Sequence, residues 1–390
     1  MPIVLTINGQ KVAAEEGTTI LEAARDVGIH IPTLCHHPDL SNVGACRMCV
    51  VSVEKQRGLQ TACTTPVSEG MVVDTQSEDA RATRKFLLEM LLSDHPNDCM
   101  TCEVNGDCLL QDLVYDYDVA WPEYNGLRHT YPIDPDPNPF IFIDRNKCVL
   151  CSRCIRACQE MQNRDVWSFA YRGFETKLVA GADQFLLDAN CESCGQCVAY
   201  CPVGALYDKM SLKTGRAPSV SKIRTTCSYC GVGCNFDLNV RDNRIVRVTS
   251  APDAPVNGMA LCVKGRYGYD YVHHPDRVTQ PLVRAKWLDA KQIRQRVADG
   301  TWMVANVAEK RVQPAGNGID SIVPDTFIQT DWNAALDVVS HKFAEVKKSM
   351  GGDAFALLAS AKCTNEENYL FNKFTRQVLG TNSIDHCARL

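Results

Sequence analysis

Residues 148–158 read CVLCSRCIRAC, and residues 191–202 repeat the pattern as CESCGQCVAYCP. In each run three cysteines follow at steps of three residues, and a fourth comes four residues later. Three thiolates at this spacing reach three irons of one cubane, and the fourth cysteine of each run binds the other cluster. The repeat therefore predicts a ferredoxin domain with two 4Fe–4S clusters over residues 144–210.

The crossing of the fourth cysteines defines two predicted ligand sets. One set is Cys148, Cys151, Cys154 and Cys201, and the other is Cys191, Cys194, Cys197 and Cys158. Zinc is the alternative, but zinc sites use separate C-x2-C pairs rather than a doubled run of four. Gln159 stands where a proline is usual after the first run, a departure that the second run, with Pro202, does not share.

Composition narrows the class of protein. The 390 residues include 21 cysteines and carry a formal charge of −5, without the basic surplus that nucleic-acid binding needs. No apolar run approaches the roughly 20 residues of a membrane span, and the N-terminal residues lack the features of an export signal. We therefore expect a cytoplasmic protein whose clustered thiols bind metal rather than form disulfides.

The N-terminal residues predict a β-grasp ferredoxin domain over residues 1–78. Residues 3–12 alternate around Asn8-Gly9, which is typical of a hairpin, and Thr19 with Glu22 predicts a helix that Gly28 ends. Four thiolates on the loops that follow suit one 2Fe–2S cluster. The predicted ligands are Cys35, Cys46, Cys49 and Cys63.

A second helix is predicted over residues 78–93, with an inward face formed by Phe86, Leu87, Met90 and Leu91. Residues 79–118 form the next predicted domain, in which three cysteines lack a fourth partner and a histidine stands upstream. The predicted ligands of its 4Fe–4S cluster are His95, Cys99, Cys102 and Cys108. The alternative is that His95 only caps the helix.

A fourth cysteine set lies in a predicted domain over residues 222–280, after a linker at 119–143 and a looser one at 211–222. Its members are Cys227, Cys230, Cys234 and Cys262. Apolar residues alternate on both sides of Asp242-Asn243, which predicts a small sheet that carries the cysteine loop. Together the four sets use nineteen of the 21 cysteines, leaving Cys363 and Cys387.

Residues 281–390 are predicted to begin an α/β domain. The patterns indicate a helix at Trp332–Met350, a buried strand at 354–359 and a helix at 366–379. Residues 285–328 show no clear period. The predicted fold class is therefore a multidomain α+β chain: a β-grasp 2Fe–2S domain, a histidine-ligated 4Fe–4S domain, a double-cubane domain and the beginning of an α/β fold.

Parts of this cysteine pattern resemble two known protein families. The ten residues between Cys35 and Cys46, and the His95 set, resemble the large iron–sulfur subunit of respiratory complex I and NAD-linked hydrogenases. The fourth set resembles the first domain of molybdopterin oxidoreductases of the dimethyl-sulfoxide reductase superfamily. That resemblance implies a fourth 4Fe–4S cluster beside a bis-molybdopterin guanine dinucleotide with Mo or W. It also implies that Lys264, followed by Gly265, lies between cluster and pterin and assists electron transfer.

The whole chain resembles the alpha subunit of cytoplasmic NAD-dependent formate dehydrogenases, most distinctively at residues 360–369 (SAKCTNEENY) and 380–390 (GTNSIDHCARL). The resemblance implies that formate is oxidised to CO2, or CO2 reduced in reverse. It also implies flavin- and NAD-binding diaphorase-type partner subunits. The alternative is a non-catalytic electron-relay subunit of the complex I or NAD-hydrogenase type, which has no need for Lys264 or residues 360–390.

In that family the ligand of the metal would follow Leu390, and Cys387 is interpreted as a buried neighbour of the ligand position. The residues as they stand are therefore expected to transfer electrons without turning over formate. We hypothesise that position 391 is a selenocysteine whose UGA codon was read as a stop. A gene fragment is the alternative explanation.

Overall fold

The computed structural model describes residues 2–119, 126–306, 311–313 and 325–387. The chain divides into two compact units. The first contains Met1–Cys227 and Cys234–Tyr269, and the second contains Ser228–Gly233 and Asp270–Leu390. All predicted cluster ligands except Cys230 therefore belong to the first unit.

The first unit begins with the predicted hairpin. β1 (Ile3–Ile7) pairs antiparallel with β2 (Gln10–Ala14) across a two-residue turn. Asn8 and Gly9 in that turn have φ of 50° and 82°, the left-handed conformations that a type I′ turn requires. The sequence prediction of a hairpin at this position is confirmed.

The predicted capping box starts α1 (Ile20–Asp26). The Thr19 hydroxyl accepts from the Glu22 N–H at 3.3 Å, and the Glu22 carboxylate accepts from the Thr19 N–H at 2.8 Å. Gly28 follows the helix with a φ of 77°, which ends it because few other residues adopt that conformation. The predicted helix is confirmed.

Three more strands complete a mixed sheet around α1: β3 (Val50–Val53), β4 (Gln60–Thr61) and β5 (Val72–Asp74). The strand order is β2-β1-β5-β3-β4, and only the β1–β5 pair is parallel. Each large aliphatic side chain buried between sheet and helix contributes about 1.5–3 kcal/mol. They include Leu5, Ile7, Ile20, Leu21 and Val73. This is the expected β-grasp arrangement.

The second predicted helix is α2 (Glu78–Asp94), but the predicted inward face is wrong. Phe86 and Met90 are 48% and 46% exposed, whereas Leu88 and Leu92 are buried. The predicted pair Leu87 and Leu91 is only partly buried against this core. The buried face of α2 is therefore not the face predicted from the positions of its apolar residues.

A buried arginine explains this difference. Arg84 is fully buried, and its Nη1 donates to the Thr75 carbonyl and the Tyr117 hydroxyl, each at 3.0 Å. Its Nη2 donates to the Val50 carbonyl at 2.6 Å. Leu88 lies one turn further along the same face. A hydrophobic pattern places an arginine outside, so it could not predict this face.

The third cysteine set lies between α2 and α3 (Leu109–Asp116). A 3-10 turn covers Cys99–Thr101, and Cys108 is the residue that precedes α3. Leu110 of α3 is buried in the same core as Leu88 of α2. Two packed helices thus hold the loop that carries these cysteines.

Four short strands surround the cysteine repeat: β6 (Ile141–Ile143), β7 (Trp167–Ala170), β8 (Lys177–Ala180) and β9 (Leu206–Asp208). β6 pairs antiparallel with β9, and β7 with β8. The predicted linker contains no helix or strand within its described residues 126–140, and β6 forms its last residues.

Each cysteine run turns into a short helix at its third cysteine. These helices are α4 (Arg153–Arg156), continued by a π-helical turn at Ala157–Met161, and α5 (Gln196–Tyr200). Ser152 and Gly195, with φ of 58° and 72°, precede them. The backbone therefore follows the same path in both cysteine runs.

A three-stranded antiparallel sheet carries the fourth cysteine loop: β10 (Ser221–Thr226), β11 (Asn235–Arg241) and β12 (Arg244–Ser250). Asp242 and Asn243 form the predicted turn with positive φ. The predicted sheet is confirmed. α6 (Val263–Tyr267) follows and contacts β12.

The second unit contains a four-stranded antiparallel sheet in residues that gave no sequence prediction: β13 (Leu282–Arg284), β14 (Met303–Asn306), β15 (Arg311–Gln313) and β16 (Phe327–Gln329). Their order is β13-β16-β14-β15. α7 (Ala290–Ala298) packs on this sheet through a buried core. That core contains Ile293, Val297, Trp302 and Ile328.

The predicted C-terminal α/β pattern is present as α8 (Trp332–Met350), β17 (Leu357–Ser360), α9 (Asn365–Phe374) and β18 (Ile384–Cys387). β17 and β18 are parallel, with α9 between them in sequence. The prediction of a buried strand is wrong, because Leu358 is 85% exposed. The described sheet has only two strands, and parallel strands are buried only where helices cover both faces.

Replacing Arg84 with methionine is expected to destabilise the chain by about 3 kcal/mol, because three hydrogen-bonding groups lose their buried donor. The midpoint of anaerobic urea unfolding measures this. Lys85→Met removes the same charge from an exposed neighbour and should leave the midpoint unchanged. Equal effects of the two variants would contradict the assigned role of Arg84.

Candidate metal centres

The first cysteine set lies on the loop after α1 and on the β3–β4 region. The Cys35 and Cys46 backbone N–H groups point at each other's sulfur, at 3.4 and 3.5 Å. The Cys49 and Cys63 sulfurs are 3.3 Å apart. A hydrogen bond with Cys49, burial, and the charges of Cys49, Cys35 and Cys46 all raise the pKa of Cys63. The structure thus brings all four predicted ligands together.

Hydrogen bonds within each pair move the thiol pKa values in opposite directions. The bond with Cys46 lowers the pKa of Cys35 to about 5, and the bond with Cys63 lowers the pKa of Cys49 to about 7. The same bonds raise the pKa of Cys46 and Cys63. One sulfur of each pair is therefore favoured as the thiolate, the form that binds iron.

The two histidines that follow Cys35 both pack within the protein. His36 is buried, and burial lowers its pKa to about 4. Its Nδ1 lies 3.4 Å from the Arg25 guanidinium. His37 packs edge-on against the Tyr200 ring, with centroids 4.6 Å apart. Both rings have partners in the protein other than the four thiols.

The three cysteines of the third set lie close to one another after the end of α2, and His95 is the residue that ends this helix. The His95 N–H donates to the Leu91 carbonyl at 3.0 Å, so His95 does cap the helix, as the alternative reading proposed. Burial also lowers the pKa of His95, which keeps the ring neutral as a metal ligand requires. Burial and then the charge of Cys102 raise the pKa of Cys99. Capping uses the backbone, whereas the ring Nδ1 accepts from the Asn97 N–H at 3.3 Å, so Nε2 is the ring atom that could bind iron.

Cys148, Cys151 and Cys154 of the first run meet Cys201 of the second. Burial raises the pKa of Cys154 well above its ordinary value, and the charges of Cys151, Cys148 and Cys201 raise it further. Burial and Cys201 likewise raise the pKa of Cys151 to about 11. The structure therefore brings together the crossed set that the spacing predicts.

The second crossed set shows the same arrangement. Burial raises the pKa of Cys197 well above its ordinary value, and so do the charges of Cys194, Cys191 and Cys158. Burial also raises the pKa of Cys191 to about 11, with contributions from Cys194 and Cys158. Cys158 of the first run thus lies with the thiols of the second.

The donor sets fit iron–sulfur clusters. Burial is the largest cause of the raised pKa at all eight thiols of the crossed sets. Thiols that crowd together in a buried place resist ionisation until positive charge is supplied to them. Cluster irons supply such charge and hold the sulfurs as thiolates.

The sets lie next to one another within the first unit. After burial and Cys201, the charge of Cys35 contributes to the raised pKa of Cys151. Burial raises the pKa of Cys201, and Cys108 contributes to that shift. A Cβ added at Gly204 would lie 2.9 Å from the Cys102 sulfur. The set of Cys148, Cys151, Cys154 and Cys201, called the central set below, therefore neighbours both the first and the third set.

The fourth set is divided between the units. In the first unit the Cys227 N–H donates to the Cys234 carbonyl at 2.7 Å, which closes the loop between β10 and β11. A Cβ at Gly265 would lie 3.7 Å from the Cys227 sulfur, so α6 passes beside this loop. Cys262 is exposed at the start of α6, and Cys230 belongs to the second unit.

Lys264 and Gly265, the predicted cofactor-binding residues, both lie on α6. Lys264 is exposed and Gly265 is buried. The next residue, Arg266, is buried, and its Nε donates to the Cys194 carbonyl at 2.9 Å. A Cβ at Gly195 would overlap the Arg266 side chain, so only glycine fits there. α6 thus contacts the second crossed set.

Sequence reasoning missed the buried cations near the thiols. They are Lys147, Arg153, Arg156 and Arg266. Lys147 forms ion pairs with Asp98 at 3.1 Å and Asp144 at 3.4 Å. The one sequence feature that could have identified these buried cations is their position close to the cysteines. Without it, basic residues are expected at the surface.

No three His, Cys, Asp or Glu side chains in the described ranges lie close enough to hold a single metal ion. Within the same ranges, every helix is too short or too polar to cross a bilayer.

Five family models match the chain in order, and together they define an iron–sulfur oxidoreductase chain. They are the 2Fe-2S iron-sulfur cluster binding domain (1–78), the NADH-ubiquinone oxidoreductase-G iron-sulfur binding region (84–121), the NADH-quinone oxidoreductase subunit 3 ferredoxin-like domain (138–207), the molybdopterin oxidoreductase Fe4S4 domain (220–274) and the molybdopterin oxidoreductase model (277–390).

Individual relatives agree with this class. A chain of NAD+-reducing NiFe-hydrogenase, in a crystal structure of its H2-reduced state, is 32% identical with a TM-score of 0.50, over 55% of this chain and 90% of that one. "NADPH-Fe(3+) oxidoreductase subunit alpha" of Geobacter sulfurreducens is 35% identical over 99% of this chain and 40% of its own length. "Putative formate dehydrogenase SH0748" of Staphylococcus haemolyticus is 28% identical over 99% and 39%.

The chain contains an iron–sulfur electron-transfer region, and its residues 220–274 and 277–390 match molybdopterin oxidoreductase models. It spans about two fifths of the length of the curated relatives described above.

Asp208, at the end of β9, is a buried acid near the second crossed set. Its Oδ1 accepts from the Met210 N–H at 2.9 Å, and its Oδ2 has no hydrogen-bond partner among the described residues. Burial raises its pKa to about 6, although Arg247 and Arg266 oppose the shift. The carboxylate is therefore held in an unfavourable place at neutral pH.

Replacing Asp208 with asparagine is expected to stabilise the chain by about 2 kcal/mol above pH 7. Its folded pKa exceeds the unfolded value, so the native protein loses stability as pH rises from about 4 to about 6. Anaerobic urea unfolding at two pH values measures this. The gain should shrink below about pH 6, and a gain independent of pH would contradict the argument.

Proposed function

We propose that this chain is the iron–sulfur electron-transfer part of a formate dehydrogenase alpha subunit. In the complete enzyme formate is oxidised to CO2, or CO2 is reduced in reverse, and electrons pass to NAD through flavin- and NAD-binding diaphorase-type subunits. The observation that carries the proposal is the assembly of four neighbouring thiol sets, two of them joined through the crossed cysteines, in a chain that also matches the molybdopterin models.

Each set is assigned one cofactor. Cys35, Cys46, Cys49 and Cys63 would hold a 2Fe–2S cluster. Four 4Fe–4S clusters would be held by the His95 set, the two crossed sets and the Cys227 set. When bound, these clusters carry single electrons. Residues after Cys262, including Lys264 and Gly265, would adjoin a bis-molybdopterin guanine dinucleotide that holds Mo or W.

The protein's own contribution is burial and orientation. The backbone N–H of the second residue after a cysteine faces the sulfur of that cysteine. For example, the Ser193 N–H donates to the Cys191 sulfur at 3.3 Å. These bonds oppose the effect of burial on the thiol pKa at Cys148, Cys151 and Cys191. The loops therefore exclude water while supplying the donors that stabilise thiolate, two of the protein's means of setting a cluster potential.

Formate is favoured as the substrate by residues 360–387 and by the relative named for formate. Thr364 and Glu367 form a capping box that starts α9. The Asn368 side chain then donates to the Ser360 carbonyl at 3.3 Å and the Cys363 carbonyl at 3.4 Å. These contacts give the segment a defined shape. The Cys387 side chain and residues 388–390 lie outside the described residues.

An electron-relay subunit of the complex I or NAD-hydrogenase type is the second candidate. It is supported by the solved hydrogenase chain, which is similar over 55% of this chain. The two candidates differ in what they require of Lys264, in the first unit, and of the segment after Ser360, in the second, since a relay requires neither. Substrate-dependent reduction of the complete protein distinguishes them.

Paired cysteine variants test the crossed ligand sets. Cys148→Ser with Cys201→Ser removes two ligands of one predicted cluster, so the holoprotein should lose about four irons from the roughly 18 that five such clusters contain. Cys148→Ser with Cys158→Ser removes one ligand from each cluster and should lose about eight. Cys363→Ser, outside the sets, should lose none. If the Cys148/Cys201 variant loses about eight irons and the Cys148/Cys158 variant about four, the ligand sets are not crossed.

The activity is tested on the complete native complex, isolated anaerobically through a tag on this chain. Formate should reduce NAD+, and Lys264→Met should slow this reaction while NADH still reduces the clusters. Reduction driven only by hydrogen or only by NADPH would overturn the formate assignment and favour another member of the family.

A further inference from the structure

Arg156 joins the loops of two thiol sets. It lies on α4, is 5% exposed, and its Nη2 donates to the Cys35 carbonyl at 2.5 Å. The same nitrogen donates to the Cys151 carbonyl at 3.2 Å. A single guanidinium nitrogen therefore bridges a predicted ligand of the 2Fe–2S set and a predicted ligand of the central set.

The rest of the guanidinium fixes the geometry of this bridge. The Arg156 Nη1 donates to the Ser41 carbonyl at 2.5 Å, and its Nε donates to the Ser152 hydroxyl at 3.3 Å. Arg153, one turn earlier, donates to the His36 carbonyl at 2.5 Å. The planar fork of an arginine can hold several acceptors at once in a fixed arrangement.

Further contacts clamp the same loop onto the cysteine-repeat domain. The Ser41 N–H and hydroxyl donate to the Glu160 carboxylate at 2.8 and 2.5 Å. The Tyr200 hydroxyl donates to the Asp39 carboxylate at 3.0 Å. The loop from Cys35 to Ser41 is thus held by three separate elements of the next domain.

The charge of Arg156 has no carboxylate partner. Its hydrogen-bond acceptors are three carbonyls and one hydroxyl, and within the described ranges it forms no ion pair. A buried cation without an anion is unfavourable, so some negative charge is needed nearby. The two thiol sets on either side are the groups that can provide it.

Building on the proposed function, we propose that Arg156 is the positioning residue of the electron-transfer junction between the Cys35 set and the Cys148, Cys151, Cys154 and Cys201 set. Its fork fixes the separation of the two clusters, and its charge favours the reduced, more negative state of both. With both clusters bound, one electron would leave one cluster and enter the other. The guanidinium exchanges neither electron nor proton, because it stays charged throughout.

Variants of the anaerobically purified, cluster-containing chain separate the two roles. Arg156→Met removes both fork and charge, whereas Arg156→Lys keeps the charge and loses the fork. Arg172→Met removes a charge from an exposed residue of the same domain and serves as the control. Iron content, redox titration followed by electron paramagnetic resonance, and the magnetic interaction of the two reduced clusters are measured for each.

Arg156→Met should retain its iron and shift the one-electron equilibrium of the Cys35-set cluster about tenfold towards the oxidised form, about 59 mV. Its magnetic interaction with the central cluster should weaken. Arg156→Lys should keep the native potential but show the weaker interaction. Arg172→Met should resemble the native chain.

The outcomes distinguish this inference from the proposed function. A native chain without clusters would overturn both. A native chain with clusters, and variants with native potentials and native magnetic interaction, would overturn the role of Arg156 alone. If Arg156→Met does not fold, Arg156→Lys decides, because an unchanged magnetic interaction in that variant contradicts the positioning role.

Discussion

Burial of sulfur that must become negatively charged is the constraint on which the first unit depends. Each thiol of the crossed sets has a raised pKa because water is excluded from it, and each neighbouring thiolate raises that pKa further. A set of this kind ionises only where backbone N–H groups and positive charge face it. The structure supplies the N–H groups through its turns and the charge through buried residues such as Arg153, with iron as the remaining contribution we propose.

That constraint accounts for the predominance of loops and short helices around the cysteines. The two runs place left-handed residues at equivalent positions, Leu150 and Ser152 in the first and Ser193 and Gly195 in the second. Such turns aim successive N–H groups inward, which a continuous helix cannot do because its N–H groups bond along its own axis. Gly195 is further restricted because Arg266 occupies the space a side chain would need.

Features governed by local spacing were predictable from the sequence. The Asn8-Gly9 hairpin, the capping box at Thr19 and the gathering of Cys201 with the first run all follow from residue types a few positions apart. The inward face of α2 was predicted wrongly, because Arg84 is buried through the Val50 carbonyl and the Tyr117 hydroxyl, which lie far away in sequence. The burial of His36 and of the junction arginines depends in the same way on contacts between domains, which no local pattern encodes.

The crossing of the fourth cysteines gives the central set its position. Cys201 closes that set, and the residues after it, from Pro202 to Gly204, pack against the third set, where the Leu109 N–H donates to the Pro202 carbonyl at 3.0 Å. On the opposite side Cys151 faces the loop of Cys35. Under the proposed function, electrons that enter from the second crossed set would reach both N-terminal sets through the Cys148, Cys151, Cys154 and Cys201 set, so the buried charges around that set would govern how electrons divide between the two.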